Sequence, residues 1–281
     1  MADISEVRDR QAQMWSEGDY RPIGRMLAPA AEALVEAAGV AAGQRVLDIG
    51  VGSGSVALAA ARRGADVLGV DITDAWFAEA RDRFAQQGVR VDLLLGDAEE
   101  LAVTDHSFDV VLSSFAMVFA PQHQRVAAEA ARACRPGGTV AYTAWEGTLA
   151  TNALLRFLPP GPDLAGDVND WADPAHVTGL FSGWAADWAF QRRSLPVAFA
   201  SIAALESFVF ENSGPMLSAR DALRQMGVWG RANGALREAF AAENDATDGS
   251  YRAEWPYLLG VARIGDAEPG PPRSAPGVAA P

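Results

Sequence analysis

The chain contains no lysine. All 23 of its basic residues are arginine, and they face 36 Asp and Glu for a formal net charge of −13. A Walker-type phosphate loop and a pyridoxal Schiff base each need a lysine amine, so both chemistries are excluded. An acidic balance without a basic run also repels phosphate backbones, which argues against a nucleic-acid partner. Cysteine is almost absent. Cys134 by itself forms neither an internal disulfide nor a cysteine-based metal site, and its expected role is that of a small buried side chain. Long apolar runs are missing too. The longest, Phe108 to Ala120, is interrupted by Asp109 and by serines and stopped by Pro121, too short to span a bilayer. The first ten residues alternate acids and arginines and hold no signal-peptide core, so the expected compartment is the cytoplasm. Histidine is scarce: His106, His123 and His176 are scattered, no pair has helical ligand spacing beside an acid, and no metal centre is expected.

What is present suits a soluble enzyme. At 281 residues with 49% hydrophobic content, one domain carrying a cap is the natural organisation. Between Arg45 and Ala144, short apolar runs alternate with longer amphipathic ones. Strands are expected at Arg45–Ile49, Asp66–Val70, Val91–Leu95, Asp109–Leu112 and Thr139–Ala144, with helices at Ser55–Arg63, Asp74–Gln87 and Gln122–Cys134. Strands this apolar need cover on both faces, and βα alternation predicts a parallel, doubly wound sheet. Pro136-Gly137-Gly138 is read as the stop between the last of these helices and the last strand. Two helices, Val7–Trp15 and Ile23–Ala38, are expected upstream. Downstream, Phe157 to Pro174 reads as a loop, Trp188–Phe199 and Pro256–Ile264 as strands, and Ser201–Phe210 and Ala219–Glu243 as helices. The expected fold is therefore α/β, a Rossmann-like, mostly parallel seven-stranded sheet. Its divisions are N-terminal helices over residues 1–44, a core over 45–146, a partly helical cap with closing strands over 147–264, and a disordered tail over 265–281.

The most informative segment is Val46-Leu47-Asp48-Ile49-Gly50-Val51-Gly52-Ser53-Gly54-Ser55. A strand ends, three glycines follow at alternate positions, and a helix begins, which lets backbone approach a ligand with no side chain between. Asp71 closes the next strand, where an acid can accept both hydroxyls of a ribose. Dinucleotide enzymes favour Gly-x-Gly-x-x-Gly, whose third glycine would be Ser55 here. Asp48, a second carboxylate just before the loop, suits a ligand carrying an ammonium and a sulfonium better than a pyrophosphate.

On these residues the chain resembles the class I S-adenosylmethionine-dependent methyltransferases. Leu95-Gly96-Asp97-Ala98-Glu99-Glu100-Leu101 is similar to the family's adenine-contacting loop, Phe108 to Phe115 to its fourth strand, and Arg135-Pro136-Gly137-Gly138 to the turn before its fifth. Trp15 to Tyr20 resembles an N-terminal segment that folds over the cofactor in the menaquinone/ubiquinone-type branch. The likeness covers roughly residues 12–146. It implies S-adenosyl-L-methionine as cofactor, held by Tyr20 at the methionine carboxylate and by Asp48, Gly50, Gly52, Gly54, Asp71, Ile72, Asp97, Ala98, Ser113 and Ser114. Many relatives carry alanine where this chain has Gly50, a departure that leaves cofactor binding in place.

Methyl transfer from a sulfonium needs alignment and desolvation more than any obligatory acid or base. His123, Glu146, His176 and Glu211 are the candidate bases, each with a surface or helix-start role as the plainer alternative, and His106 is expected in solvent. Trp171, Trp184, Trp188, Trp229 and Trp255, with Phe181, Phe208, Phe210 and Met216, either line a pocket for an aromatic or hydrophobic small molecule or pack the cap. The expected function is methylation of a small metabolite on oxygen, nitrogen or carbon. The rivals are an enzyme of this fold that keeps the cofactor as a structural element for cyclisation, an NAD(P)-dependent oxidoreductase, and a binding-only protein. No residue pattern indicates an oligomeric state.

Overall fold

The computed structural model describes residues 4–146, 150–159 and 166–265. Two helices open the chain, α1 (Ile4–Ser16) and α2 (Tyr20–Ala37). The alternating region follows as β1 (Arg45–Ile49), α3 (Ser55–Arg62), β2 (Asp66–Asp71), α4 (Phe77–Gln86), β3 (Asp92–Leu95), β4 (Phe108–Ser114), α5 (His123–Ala133) and β5 (Cys134–Trp145). A short helix α6 (Pro174–Leu180), the long strand β6 (Ala185–Phe199), three helices α7 (Ile202–Asn212), α8 (Gly214–Gln225) and α9 (Trp229–Glu243), and β7 (Tyr251–Ile264) complete it.

The seven strands form one sheet in the order β3-β2-β1-β4-β5-β7-β6, parallel from β3 to β5, with β7 antiparallel to both its neighbours. Alternation along each strand feeds two cores, as the two-residue period requires. Val46, Val110 and Leu112 face the side covered by α2 and α3, while Leu47, Ile49 and Val111 face α5 and α6. Six consecutive residues of α3, Val56 to Ala61, are buried, because its alanines let it lie close between α2 and the sheet. Each fully buried Leu or Val contributes about 1.5–3 kcal/mol. β1 sits between β2 and β4, so the chain leaves it in opposite directions and a crevice opens at the carboxyl ends of the strands.

β6 and β7 pair beyond the end of β5. Their overhang, Ser194–Phe199 against Tyr251–Pro256, is a two-stranded ribbon. Its buried Leu195, Val197, Tyr251 and Ala253 pack with Leu205 of α7 and Leu236 and Phe240 of α9. This ribbon is the floor of the cap, which explains why both strands run longer than their sequence pattern predicts.

Three expectations are revised. The single helix expected over Ala219–Glu243 is two, α8 and α9, divided at Gly227, whose φ of 70° lies in the left-handed region that ends helices. Pro136-Gly137-Gly138 is not a helix stop: α5 already ends at Ala133, and the turn lies within β5, beside a shift in its register with β4. The Phe157–Pro174 loop carries a 3-10 turn at Val168–Ala172, and α6 starts at Pro174; residues 160–165 of that loop lie outside the described residues, as do residues 266–281 of the expected tail.

Candidate functional site

A cavity fills the crevice at the carboxyl ends of β1, β2 and β4. The glycine loop, Asp71 to Thr73, Gly96 to Ala98 and Ser114 to Met117 line it from the sheet side, and Gln11, Trp15, Tyr20, Ile23, Gly24 and Leu27 close it from α1 and α2.

The loop's shape follows from its glycines. Gly50, Gly52 and Gly54 have φ of 77°, 48° and 84°, conformations that side chains rarely adopt. Their surroundings separate their roles. A Cβ on Gly50 would lie 2.1 Å from Cβ of Ala116, and one on Gly54 would lie 2.5 Å from the Phe84 ring, whereas one on Gly52 would meet open space. Gly50 and Gly54 thus allow close packing behind the loop, and Gly52 keeps a ligand's approach clear. Gly54 itself does not line the cavity. Arg83 of α4 braces the same loop, with its guanidinium donating to the Ser53 carbonyl at 2.5 Å.

Two acids flank the loop. Asp48 is 1% exposed; its Oδ2 accepts the Ala57 amide at 3.0 Å, while Oδ1 is buried without a partner. Burial pushes its carboxyl up to about 7, against the pull of the Ala57 amide and with a further push from the charge of Asp71. Asp71 accepts the Gly52 amide at 2.8 Å and the Thr73 amide at 3.2 Å, so it shapes the loop as well as facing the cavity. Burial raises its carboxyl too, opposed by the Gly52, Thr73 and Ile72 amides. Asp97 accepts the Glu99 amide at 2.8 Å and pairs with Arg8 of α1 at 2.5 Å. Tyr20 sets its ring against Trp76 and Trp15, and the preceding Asp19 amide donates to Glu211 O at 3.2 Å, tying the α1–α2 joint to the α7–α8 joint. The same joint explains Gly18 and Gly214: a Cβ on either would strike backbone of the other segment, 2.7 Å from Asn212 O or 1.8 Å from Met14 O.

The fold therefore brings Tyr20, Asp48, Gly50, Gly52, Asp71, Ile72, Asp97, Ala98 and Ser114 to one cavity. Ser113 lies behind it. Its hydroxyl is consumed between the Ile49 carbonyl at 2.8 Å and the Met117 amide at 3.0 Å, where it pins the end of β4 to β1. None of the four candidate bases lines the cavity. Glu146 is ion-paired with Arg192, Glu211 is exposed on α7, and His123 and His176 meet each other on the far side of the β4–α5 connection. Burial and the neighbouring His176 hold the His123 imidazole below its ordinary range. The late tryptophans pack the cap. Trp171 is fully buried, Trp188 stacks on Phe190, Trp229 meets Phe210 and Trp255 meets Trp145. The cavity's aromatic wall comes from residues the sequence did not single out for that purpose: Trp76, Phe115 and Phe119, with Trp15. Phe115 has a φ of 52° and stacks on Trp145 at 4.0 Å, and strain of this kind in a bulky residue collects at ligand sites. Nothing in a sequence pattern announces such a conformation.

A glycine loop between β1 and α3, acids at the ends of β1 and β2, and a crevice at the switch point define a Rossmann-like α/β fold with its cavity where such sheets take their ligands. A methyltransferase-domain family model matches residues 46–138, the loop and the four strands around it. An uncharacterized protein of Mycobacterium tuberculosis is 34% identical over 253 residues, covering 88% of this chain and 91% of its own. A ubiquinone biosynthesis O-methyltransferase of Klebsiella pneumoniae is 28% identical over 188 residues, 63% of this chain and 76% of its own. The crystal structure of the YcgJ protein from Bacillus subtilis shares the fold with a TM-score of 0.57 at 19% identity, over 85% of this chain and 99% of that one. The chain belongs to the class I S-adenosylmethionine-dependent methyltransferases. Among the described residues no helix is long and apolar enough to cross a membrane.

Proposed function

We propose that this cavity holds S-adenosylmethionine and that the protein transfers its methyl group to a small hydrophobic or aromatic metabolite. The observation that carries the reading is Asp48 Oδ1, a carboxylate oxygen with no partner at the wall of a largely apolar cavity. An unsatisfied buried acceptor is costly, and a cationic ligand repays it. Asp71 keeps lone pairs for ribose hydroxyls after accepting two amides. Asp97 serves the adenine amino group once Arg8 yields its place, and Ala98 lies beside the ring. The described part of residues 1–44 covers the cofactor, 45–146 hold it, and the described part of 147–264 shapes the acceptor's side.

The bound cofactor supplies a methyl on positively charged sulfur, whose leaving group needs no activation. The chain's residues then have to align an acceptor and exclude water. Trp15, Trp76, Phe115 and Phe119 provide a wall suited to a flat or greasy molecule, and the helices α1 and α2 shut out solvent. None of the three histidines lines the cavity, so no imidazole base faces the acceptor, and the carboxylates on its wall are the ones assigned to the cofactor. Because some relatives are named as ubiquinone biosynthesis O-methyltransferases, a ring hydroxyl is the first acceptor to test. Incubation with S-adenosylmethionine and a panel of phenols, amines and acids should give acceptor-dependent S-adenosylhomocysteine. Conversion of an acceptor with no cofactor consumed would overturn methyl transfer in favour of a structural role for the cofactor.

A further inference from the structure

Away from the cavity, the fold assembles a group that sequence spacing hides. His123 opens α5, Asp170 lies in the 3-10 turn Val168–Ala172, and His176 is in α6. Potential ligand atoms of all three lie within 4.8 Å of one another. Nδ1 of His123 is 3.3 Å from Nε2 of His176. Two nitrogens bound tetrahedrally to zinc at 2.0–2.1 Å stand about 3.3–3.4 Å apart, whereas hydrogen bonds between nitrogen donors and their acceptors are commonly nearer about 3 Å.

The setting is built rather than incidental. His123 is 6% exposed, and its ring lies edge-on to the fully buried Trp171 at 5.4 Å. A Cβ on Gly166 would come within 2.5 to 2.7 Å of three atoms of that ring, so glycine is what lets the segment close over it. The Gly166 amide donates to Pro121 O at 2.9 Å, and Gln124 Nε2 donates to Leu180 O at 3.1 Å, holding the two segments in register on either side of the histidines.

We propose that His123, Asp170 and His176 form a binding site for one divalent transition-metal cation, zinc being the best match to two imidazoles and one carboxylate. The three protein ligands leave a fourth position to water. Because His123 belongs to the Rossmann-like core and the other two to the cap, the cation acts as a staple that fastens residues 166–180 onto α5. It takes no part in methyl transfer, since none of the three lines the cofactor cavity.

The test uses the full-length protein without a histidine tag, stripped by chelator and titrated with Zn²⁺ against a chromophoric competitor, then with Co²⁺ as a spectroscopic probe. The expected result is one equivalent per chain, a visible band of four-coordinate Co²⁺, and slowed amide exchange in 166–180 on zinc binding. His176→Ala should weaken zinc at least about a hundredfold, since even indirect partners of metal ligands cost 10–100-fold. Asp170→Asn, which preserves shape and folding, should lose at least tenfold and so decides the matter if His176→Ala does not fold. The exposed His106 should be replaceable by alanine without effect. Absence of stoichiometric uptake, or equal uptake by wild type and both site variants, would overturn the site. S-adenosylmethionine affinity measured in chelator stays unchanged and reports separately on the proposed function.

Discussion

Asp48→Asn is expected to stabilise the free protein at alkaline pH while weakening its hold on the cofactor. In the folded chain the Asp48 carboxyl titrates at about 7, against an ordinary value of 3.8 in the unfolded chain. Between those values folding takes up a proton, so the contribution of Asp48 to stability is greatest below 3.8, declines as pH rises, and levels off above about 7. At 1.36 kcal/mol per pH unit, the ionised side chain lowers stability at pH 8 by about 4 kcal/mol, of which about 2–3 kcal/mol develops between pH 5 and pH 8. Asparagine keeps an oxygen to accept the Ala57 amide and never ionises. Urea unfolding of both proteins at pH 5 and pH 8 should therefore show the variant gaining about 2–3 kcal/mol over wild type across that interval. The burial-raised Asp71 contributes with the same sign in both proteins. Cofactor binding should show the opposite trend. A ligand with a positive sulfonium and ammonium favours the ionised carboxylate, so wild-type affinity should rise from pH 5 to pH 8 and that of the variant should stay nearly flat. A stability difference independent of pH would refute the reasoning, because it would mean that the buried carboxyl does not titrate in this range.

Asp71→Ala should weaken S-adenosylmethionine by about 1.5–3 kcal/mol per lost ribose bond, read by calorimetry. It should also lower the melting temperature of the free protein, because two loop amides lose their acceptor. Gly50→Ala and Gly52→Ala should separate packing from ligand approach. The first meets Ala116 at 2.1 Å and a φ of 77°, and should cost about 2–5 kcal/mol of stability; the second should cost about 1 kcal/mol, since nothing lies near its Cβ, yet reduce cofactor affinity at least tenfold. Alanine at His123, His176, Glu146 or Glu211 should leave turnover at saturating cofactor within tenfold of wild type in variants that fold. A loss on the order of a hundredfold or more at any of them would identify a general base.

Where the sequence was legible, one short range of chain carried both a pattern and its cause. β1, the glycine loop and Asp71 lie within 27 residues, and their spacing reports a local geometry that tertiary packing does not alter. Asp97 and the Trp15–Tyr20 segment became visible through family resemblance, and Asp97, Trp15 and Tyr20 line the cavity. A serine at a strand end is equally suited to face a ligand or to bridge backbone, and for Ser113 only the neighbouring Ile49 carbonyl and Met117 amide show that its hydroxyl bridges backbone. The late tryptophans promised either a pocket or packing. They pack because the β6–β7 ribbon and α6 to α9 need large side chains to fill the cap, a demand set by three-dimensional volume. Arg83 meets Ser53 from 30 positions away and His123 meets His176 from 53, beyond the reach of any periodicity.

The central claim is that the crevice between β1 and β4 is an S-adenosylmethionine site, and isothermal titration of the metal-free protein at pH 8 tests it most directly. The account predicts saturable binding of S-adenosylmethionine at one per chain, lost or strongly weakened in Asp71→Ala, with no heat of binding from NADH. Absence of S-adenosylmethionine binding by the folded protein, or tight binding of NADH in its place, would contradict it.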